Sequence, residues 1–168
     1  MYLLLHVDSP GDNTAGKLLS DAINFITWQS SGTKQHTHAS ILVDPAKKEI
    51  IEAYYPKVHR KILADSDLPN IDVLEIPGLD EAKALDFLEK QIGKPYSIDG
   101  LFKFAFELAH TDEGKAYFCS ELAFCAIQAG GVNLFSRCQD FKVSPGLLWI
   151  SPQVNYLGVL KDVLPTLK

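Results

Sequence analysis

Apolar residues follow two periods along this chain. Tyr2 to Val7 is a short apolar run closed by Asp8-Ser9-Pro10-Gly11-Asp12-Asn13, a dense turn signal, and it predicts a strand. From Thr14 to Trp28 the residues Ala15, Leu18, Leu19, Ala22, Ile23 and Ile26 recur at helical spacing, with Asn13 or Thr14 available as cap. After the polar loop Gln29 to Gln35 come three short runs, Ala39 to Val43, Glu49 to Tyr55 and Val58 to Leu63, parted by Asp44-Pro45 and Pro56-Lys57. They predict an antiparallel meander. Ile71 to Ile76 makes a further strand, ended by Pro77-Gly78.

Asp80 to Ile92 carries the clearest helical pattern, with Ala82, Leu85, Phe87, Leu88 and Ile92 on its apolar side and Gly93 as its exit. Asp99 to Leu108 reads as a second apolar helix, and the polar stretch His110 to Lys115 leads into Tyr117-Phe118-Cys119. Ser120 to Gln128 is helical again, stopped by Gly130-Gly131. From Ser144 to Leu164 the chain is punctuated by Pro145 and Pro152, with Pro165 just beyond, so turns are expected there, with one late strand at Tyr156 to Leu160. No internal repeat or low-complexity segment is present. The element order predicts an α+β domain in which helices pack against an antiparallel sheet.

Composition narrows this picture. With 168 residues, 46% of them hydrophobic, the chain suits one domain spanning 1–168 with one sizeable core. The net charge of −5 and the scattered Lys and Arg argue against a nucleic-acid partner. The densest basic group, Lys57, His59, Arg60 and Lys61, reads as a solvated strand face. Cys119, Cys125 and Cys138 form no C-x-x-C pair, and no two histidines share helical spacing, so neither a disulfide framework nor a metal site is expected and no cofactor is implied. The N-terminal run lacks a basic flank and is too short for a signal peptide, and no stretch approaches the roughly 20 apolar residues of a membrane span. The expectation is a cytoplasmic protein, where thiols stay reduced.

Cys119 is the most informative residue. It stands at the mouth of a predicted helix, where exposed N–H groups and the positive dipole end favour a thiolate. A nucleophilic thiol also needs a base within reach and a group that orients the base. His38 stands at a strand start and Glu52 on the next strand. If Ala39 to Val43 pairs with Glu49 to Tyr55, residues whose numbers sum to about 92 or 93 face each other, which brings His38 near Glu52, Ala53 or Tyr54. Alternation puts Ile50, Glu52 and Tyr54 on one face, so Glu52 sits among apolar neighbours. Backbone N–H groups at the Cys119 helix start could serve a developing oxyanion.

Each residue alone also has a structural reading. Cys119 could be a small buried hydrophobe and Glu52 an edge charge that blocks aggregation. Cys125 and Cys138 read as core, and His36 competes with His38 on the same strand face. His6 and His110 have no legible carboxylate context.

In its order of His strand, Glu strand and a later Phe-Cys-Ser-Glu-Leu at a helix start, the chain resembles the circularly permuted NlpC-type papain-like hydrolases of the YiiX-like group. The matching stretches are Leu18 to Trp28, Thr37 to Val43, Ile51-Glu52-Ala53, Gly93-Lys94-Pro95-Tyr96, Tyr117 to Leu122 and Ser144-Pro145-Gly146. The resemblance implies a papain-like core, with Cys119 as nucleophile, His38 as general base and then acid, and Glu52 as the orienting residue. Tyr96 would line the substrate cleft, Tyr54 would join it, and the Ser120 helix start would support the oxyanion. Two departures stand out: Ser97-Ile98-Asp99 follows Tyr96 where relatives place an acid directly, and His36 leaves the base assignment open.

Such relatives commonly cleave peptide bonds of cell-wall stems, so the expected substrate is a peptide or other small amide, split through a thioester intermediate. The group is also similar to lecithin:retinol acyltransferase-like proteins, which makes acyl or lipid chemistry the alternative, with Phe102, Phe104, Phe106, Tyr117 and Phe118 as a possible acyl slot. A non-catalytic binding module on the same scaffold is a third reading. Oligomeric state is not legible.

Overall fold

A computed structural model describes residues 1–7, 36–97, 115–136 and 142–168. The predicted helices at Thr14–Trp28 and Asp99–Leu108, with His110, Cys138, Phe102, Phe104 and Phe106, lie outside the described residues. The fold is α+β. Its strands are β1 (Tyr2–His6), β2 (His38–Asp44), β3 (Glu49–Tyr54), β4 (Lys57–Ile62), β5 (Ile71–Glu75) and β6 (Asn155–Val159), and its helices α1 (Glu81–Gln91), α2 (Cys119–Ala129), α3 (Pro145–Trp149) and α4 (Leu160–Val163).

The six strands form one sheet in the order β4-β3-β2-β1-β5-β6, and every recorded strand pair is antiparallel. Side-chain alternation gives the sheet two apolar faces. Leu3, Leu5, Ala39, Ile41, Ile51 and Ala53 join Leu88, Leu122, Phe124, Ile127 and Leu148 in the larger core. Leu4, Leu42, Ile50, Ile71 and Val73 form a second cluster with Leu63, Leu68 and Leu160. The β2–β3 register, Ile41↔Ile51 and Leu42↔Ile50, is the one expected from the hairpin, with a shift before Asp44↔Glu49.

Helix α1 begins where the pattern predicts. Asp80 caps it by accepting from the Lys83 N–H at 3.1 Å, and Gly93 follows its end at φ 88, a conformation that costs glycine little. Its buried side matches the expected one in part. Leu88 is buried and Leu85 and Phe87 pack against the core as expected, but Ala84 and Gln91 are buried too, whereas Ala82 is exposed and Ile92 is 39% exposed. The i, i+4 row that starts at Ala84 is the one that meets α2. The C-terminal region also departs from expectation, since it holds two short helices besides β6. Pro145 starts α3 instead of breaking the chain, because it occupies the first turn, where its missing N–H has no partner to lose, and Ser144 Oγ caps it by accepting from the Leu147 N–H at 3.0 Å. No helix among the described residues is long and apolar enough to cross a membrane.

Gly130 ends α2 against the start of α1, and its carbonyl accepts from the Asp80 N–H at 2.9 Å. A Cβ there would lie 2.4 Å from Leu79 Cδ1, 3.1 Å from the Asp80 oxygen and 3.2 Å from Ala84 Cβ. Gly130→Ala should therefore lower the unfolding free energy by about 1–3 kcal/mol through overpacking. Urea denaturation measures this, and an unchanged midpoint would show that the two helices separate at no cost.

Candidate active site

Cys119 is the first residue of α2, and the turn that delivers it is braced on several sides. The Phe118 N–H donates to Glu121 Oε2 at 3.2 Å, satisfying a donor the helix leaves without an intrahelical partner. The Ser120 hydroxyl donates to the Val143 carbonyl at 2.6 Å, so this side chain is committed inside the protein. What Ser120 offers the site is its backbone N–H, which together with that of Ala39 on β2 favours a negative Cys119 sulfur. The paired register between β2 and β3 reaches only to Ile41↔Ile51 at this end.

The imidazole on that sulfur belongs to His38. Its ring lies beside Cys119, whose charge acts on it, and its Nε2 lies 2.7 Å from Glu52 Oε2, which leaves Nδ1 as the nitrogen available to sulfur. Tyr54, on the face of Glu52, meets the His38 ring edge-on at 5.9 Å. Cys119, His38 and Glu52 are thus brought together in one buried place, with Cys119 2%, His38 5% and Glu52 1% exposed.

Burial alone would make all three groups neutral, and their contacts reverse it. Burial works against a charged His38, but the Cys119 sulfur and the Glu52 carboxylate outweigh it and raise the imidazole to about 10. Burial likewise opposes a Cys119 thiolate, yet the charge and hydrogen bond of His38, with the Ala39 and Ser120 N–H groups, lower the thiol below its ordinary value. For Glu52, burial is overcome by hydrogen bonds from His38 and His59, which hold it below the usual carboxylate range. Both shifts favour an imidazolium facing a thiolate, and the two groups titrate as a pair.

Tyr96 is brought in by backbone pairing. Its N–H donates to the Pro56 carbonyl at 2.9 Å, and it bridges Tyr117, two residues before Cys119. Burial first, and then the sulfur and the Tyr54 phenol nearby, raise Tyr96 well above a phenol's usual value, so its hydroxyl stays protonated beside the thiolate. Burial also raises Tyr54, whose buried hydroxyl has no partner.

Two histidines, His36 and His59, are placed otherwise than expected, and a third, His6, has a partner that the sequence did not show. His36 does not compete for the thiol: it precedes β2, its Nε2 lies 2.9 Å from Asp72 Oδ2, and its ring packs on Trp149 at 4.7 Å. His6 stands opposite His38 in the β1–β2 ladder, where its Nε2 meets Ser40 Oγ at 2.8 Å and its ring meets His38 at 4.9 Å. Burial, and then the charge on His38, lower it to about 3, so it is neutral. His59, expected on a solvated basic face, instead lies opposite Glu52 in the β3–β4 ladder, with Nε2 3.3 Å from Oε1. Carrying the hairpin register one strand further would have found it. Arg60 of the same group is held by Glu49 at 2.7 Å and by Glu89.

The fold is similar to the crystal structure of metalloprotein YiiX from Escherichia coli O157:H7, with a TM-score of 0.63 and 15% identity over 94% of this chain and 95% of that one. At this identity the likeness concerns the fold. No protein-family model matches the chain, and no curated protein matches it.

Two measurements follow from the charges. The ultraviolet thiolate absorbance of Cys119, taken by difference from Cys119→Ser, should persist well below the ordinary thiol value of about 8.5 and move up towards it in His38→Ala, because the imidazolium that favours the anion is gone. A wild-type signal that arises only near that ordinary value would rule out the ion pair. His6 is neutral when folded and binds a proton when unfolded below about 6.5, so it contributes stability that is present above that pH and is lost as pH falls towards about 3. His6→Gln should accordingly flatten the rise of unfolding free energy between about pH 4 and 7.

Proposed function

We propose that the chain is a cysteine hydrolase of papain-like type that splits the amide bond of a peptide or other small carbonyl substrate. The observation that carries this reading is Cys119 at a helix start beside the imidazole of His38, whose Nε2 is 2.7 Å from Glu52. An oriented imidazole with a thiolate on its other nitrogen is the arrangement that nucleophilic acyl transfer requires.

In this mechanism the Cys119 thiolate adds to the substrate carbonyl carbon, and the carbonyl π electrons move to oxygen. The oxyanion is met by N–H groups at the start of α2, the Ser120 N–H among them. His38 gives its proton to the leaving nitrogen as the carbon–nitrogen bond breaks, which releases the amine and leaves a thioester on Cys119. Now neutral, His38 takes a proton from water as the water oxygen attacks the thioester. Collapse of the second tetrahedral intermediate frees the carboxylic acid and returns the thiolate beside an imidazolium. Glu52 holds the ring with Nε2–H towards Oε2 throughout, and the Tyr96 and Tyr54 hydroxyls are donors beside the reacting carbon.

The Escherichia coli protein of similar fold is described as a metalloprotein. The donors here do not suit a resident metal. His38 and His59 both direct Nε2 at Glu52 oxygens, His59 Nδ1 faces the Lys57 carbonyl at 3.0 Å, and among the described residues no group of three or more His, Cys, Asp or Glu is placed to hold a metal ion.

Muropeptides and γ-glutamyl dipeptides on one side, and short acyl thioesters on the other, test the reaction class. Cys119→Ala should abolish turnover with the fold retained, and His38→Ala should reduce it by about 1000-fold or more. Glu52→Gln should slow it less than His38→Ala, since the orienting member contributes less than the base. Mass spectrometry of a quenched reaction should find the acyl group on Cys119. Turnover that survives in Cys119→Ala, or the absence of both turnover and adduct with every substrate, would sink the reading in favour of a binding module.

A further inference from the structure

His59 has a role that the triad leaves open. In the β3–β4 ladder it stands directly across from Glu52, and its two ring nitrogens both face acceptors. Nδ1 lies 3.0 Å from the Lys57 carbonyl oxygen and Nε2 lies 3.3 Å from Glu52 Oε1. A carbonyl and a carboxylate can only accept, so each nitrogen must carry a hydrogen, and the ring that satisfies both contacts is the imidazolium. Either neutral tautomer would turn a lone pair on one of these oxygens. The hydrogen bond to Glu52 favours the charged ring most, and burial opposes it less strongly.

The cluster is balanced by this ring. With Cys119 as the thiolate of the proposed triad, the sulfur and Glu52 are anionic and His38 is cationic, while His6 is neutral, so a second cation is needed to avoid a net negative charge in a buried site. His59 supplies it. Its side chain is 31% exposed, against 7% for His38 and 1% for Glu52, so it is the member that meets bulk water. Among the described residues, the other groups that face it are Tyr54 on β3, whose ring is 6.4 Å away edge-on, and Lys61 on its own strand, whose charge disfavours the imidazolium.

We propose that His59 is a positioning residue of this site: as an imidazolium bridging the Lys57 carbonyl and Glu52 Oε1, it neutralises half of the carboxylate and keeps Oε2 on His38. The proposal rests on the reading of Cys119, His38 and Glu52 as a reactive triad. When His59 loses its proton, the whole charge of Glu52 falls on His38, which then holds its own proton more tightly and becomes a poorer acid for the leaving group. The surrounding negative charge also makes the thiolate harder to form. Solvent pH thereby reaches a sulfur that is itself out of contact with water.

The test reads Cys119 ionisation, which needs no substrate. His59→Gln keeps a donor for Glu52 and removes the charge, whereas His59→Lys keeps the charge. His59→Gln should move both the appearance of the thiolate and the loss of the His38 proton to higher pH, by about half a unit, since the charge removed acts on the sulfur at second hand. His59→Lys should restore part of the shift, and thermal melting checks that each variant is folded. Nitrogen NMR of the wild-type ring should find both nitrogens of His59 protonated at neutral pH. A neutral His59 there, or a His59→Gln profile that superposes on a wild-type profile with its thiolate intact, overturns the proposal and leaves the triad standing. A wild type without a thiolate below the ordinary thiol range overturns the triad and this proposal with it.

Discussion

Cys119 and His38 share one buried place between β2 and the first turn of α2, and each favours the charged form of the other. Burial by itself would neutralise both. Their mutual attraction, with the backbone of Ala39 and Ser120 near the sulfur and the carboxylate of Glu52 on the ring, shifts both towards the ionised pair. Most of the surrounding architecture serves this contact. The sheet places His38 and Glu52 on adjacent strands, the Phe118–Glu121 and Ser120–Val143 bonds hold the helix start still, and the pairing of residues 95–97 with Tyr117 ties the approach to Cys119 to the β3–β4 hairpin.

Charges buried in the middle of a sheet are costly unless each has a partner. Here the partners are shared. Glu52 meets His38 through one oxygen and His59 through the other, and the histidine nearest to this set, His6, avoids a third positive charge by staying neutral against Ser40. A second histidine–carboxylate pair, His36 with Asp72, lies further along the sheet, where Asp72 also accepts from the Tyr156 hydroxyl at 3.0 Å. The two pairs look alike in composition, and the first is the one set beside Cys119.

The likeness to the Escherichia coli protein covers almost the whole length of both chains while few residues are shared. A sheet of this order with helices on it is a scaffold that many side-chain sets can occupy, so chemistry has to be read from the residues present. In this chain those residues form hydrogen-bonded pairs around a carboxylate, a pattern that suits proton transfer better than cation binding.

Strand positions, the caps of α1 and the approach of His38 to Glu52 were legible in the amino-acid order, whereas the arrival of Cys119 beside them was decided by tertiary contacts. They depend on local periodicity, on capping residues such as Asp80 and Gly93, and on the register of a short hairpin. The role of His59 was hidden because a histidine among Lys57, Arg60 and Lys61 has the composition of a solvated face, and only the register of the next hairpin puts it on Glu52. His36 and His38 are equivalent by alternation, and the end of β2 separates them by giving one to Asp72 and the other to Cys119. The buried row of α1 and the helices after Pro145 were misjudged for a related cause. Periodicity reports which residues prefer to leave water, whereas the neighbour each one meets is settled by contacts between elements far apart in the chain, and by which charges are left there without solvent.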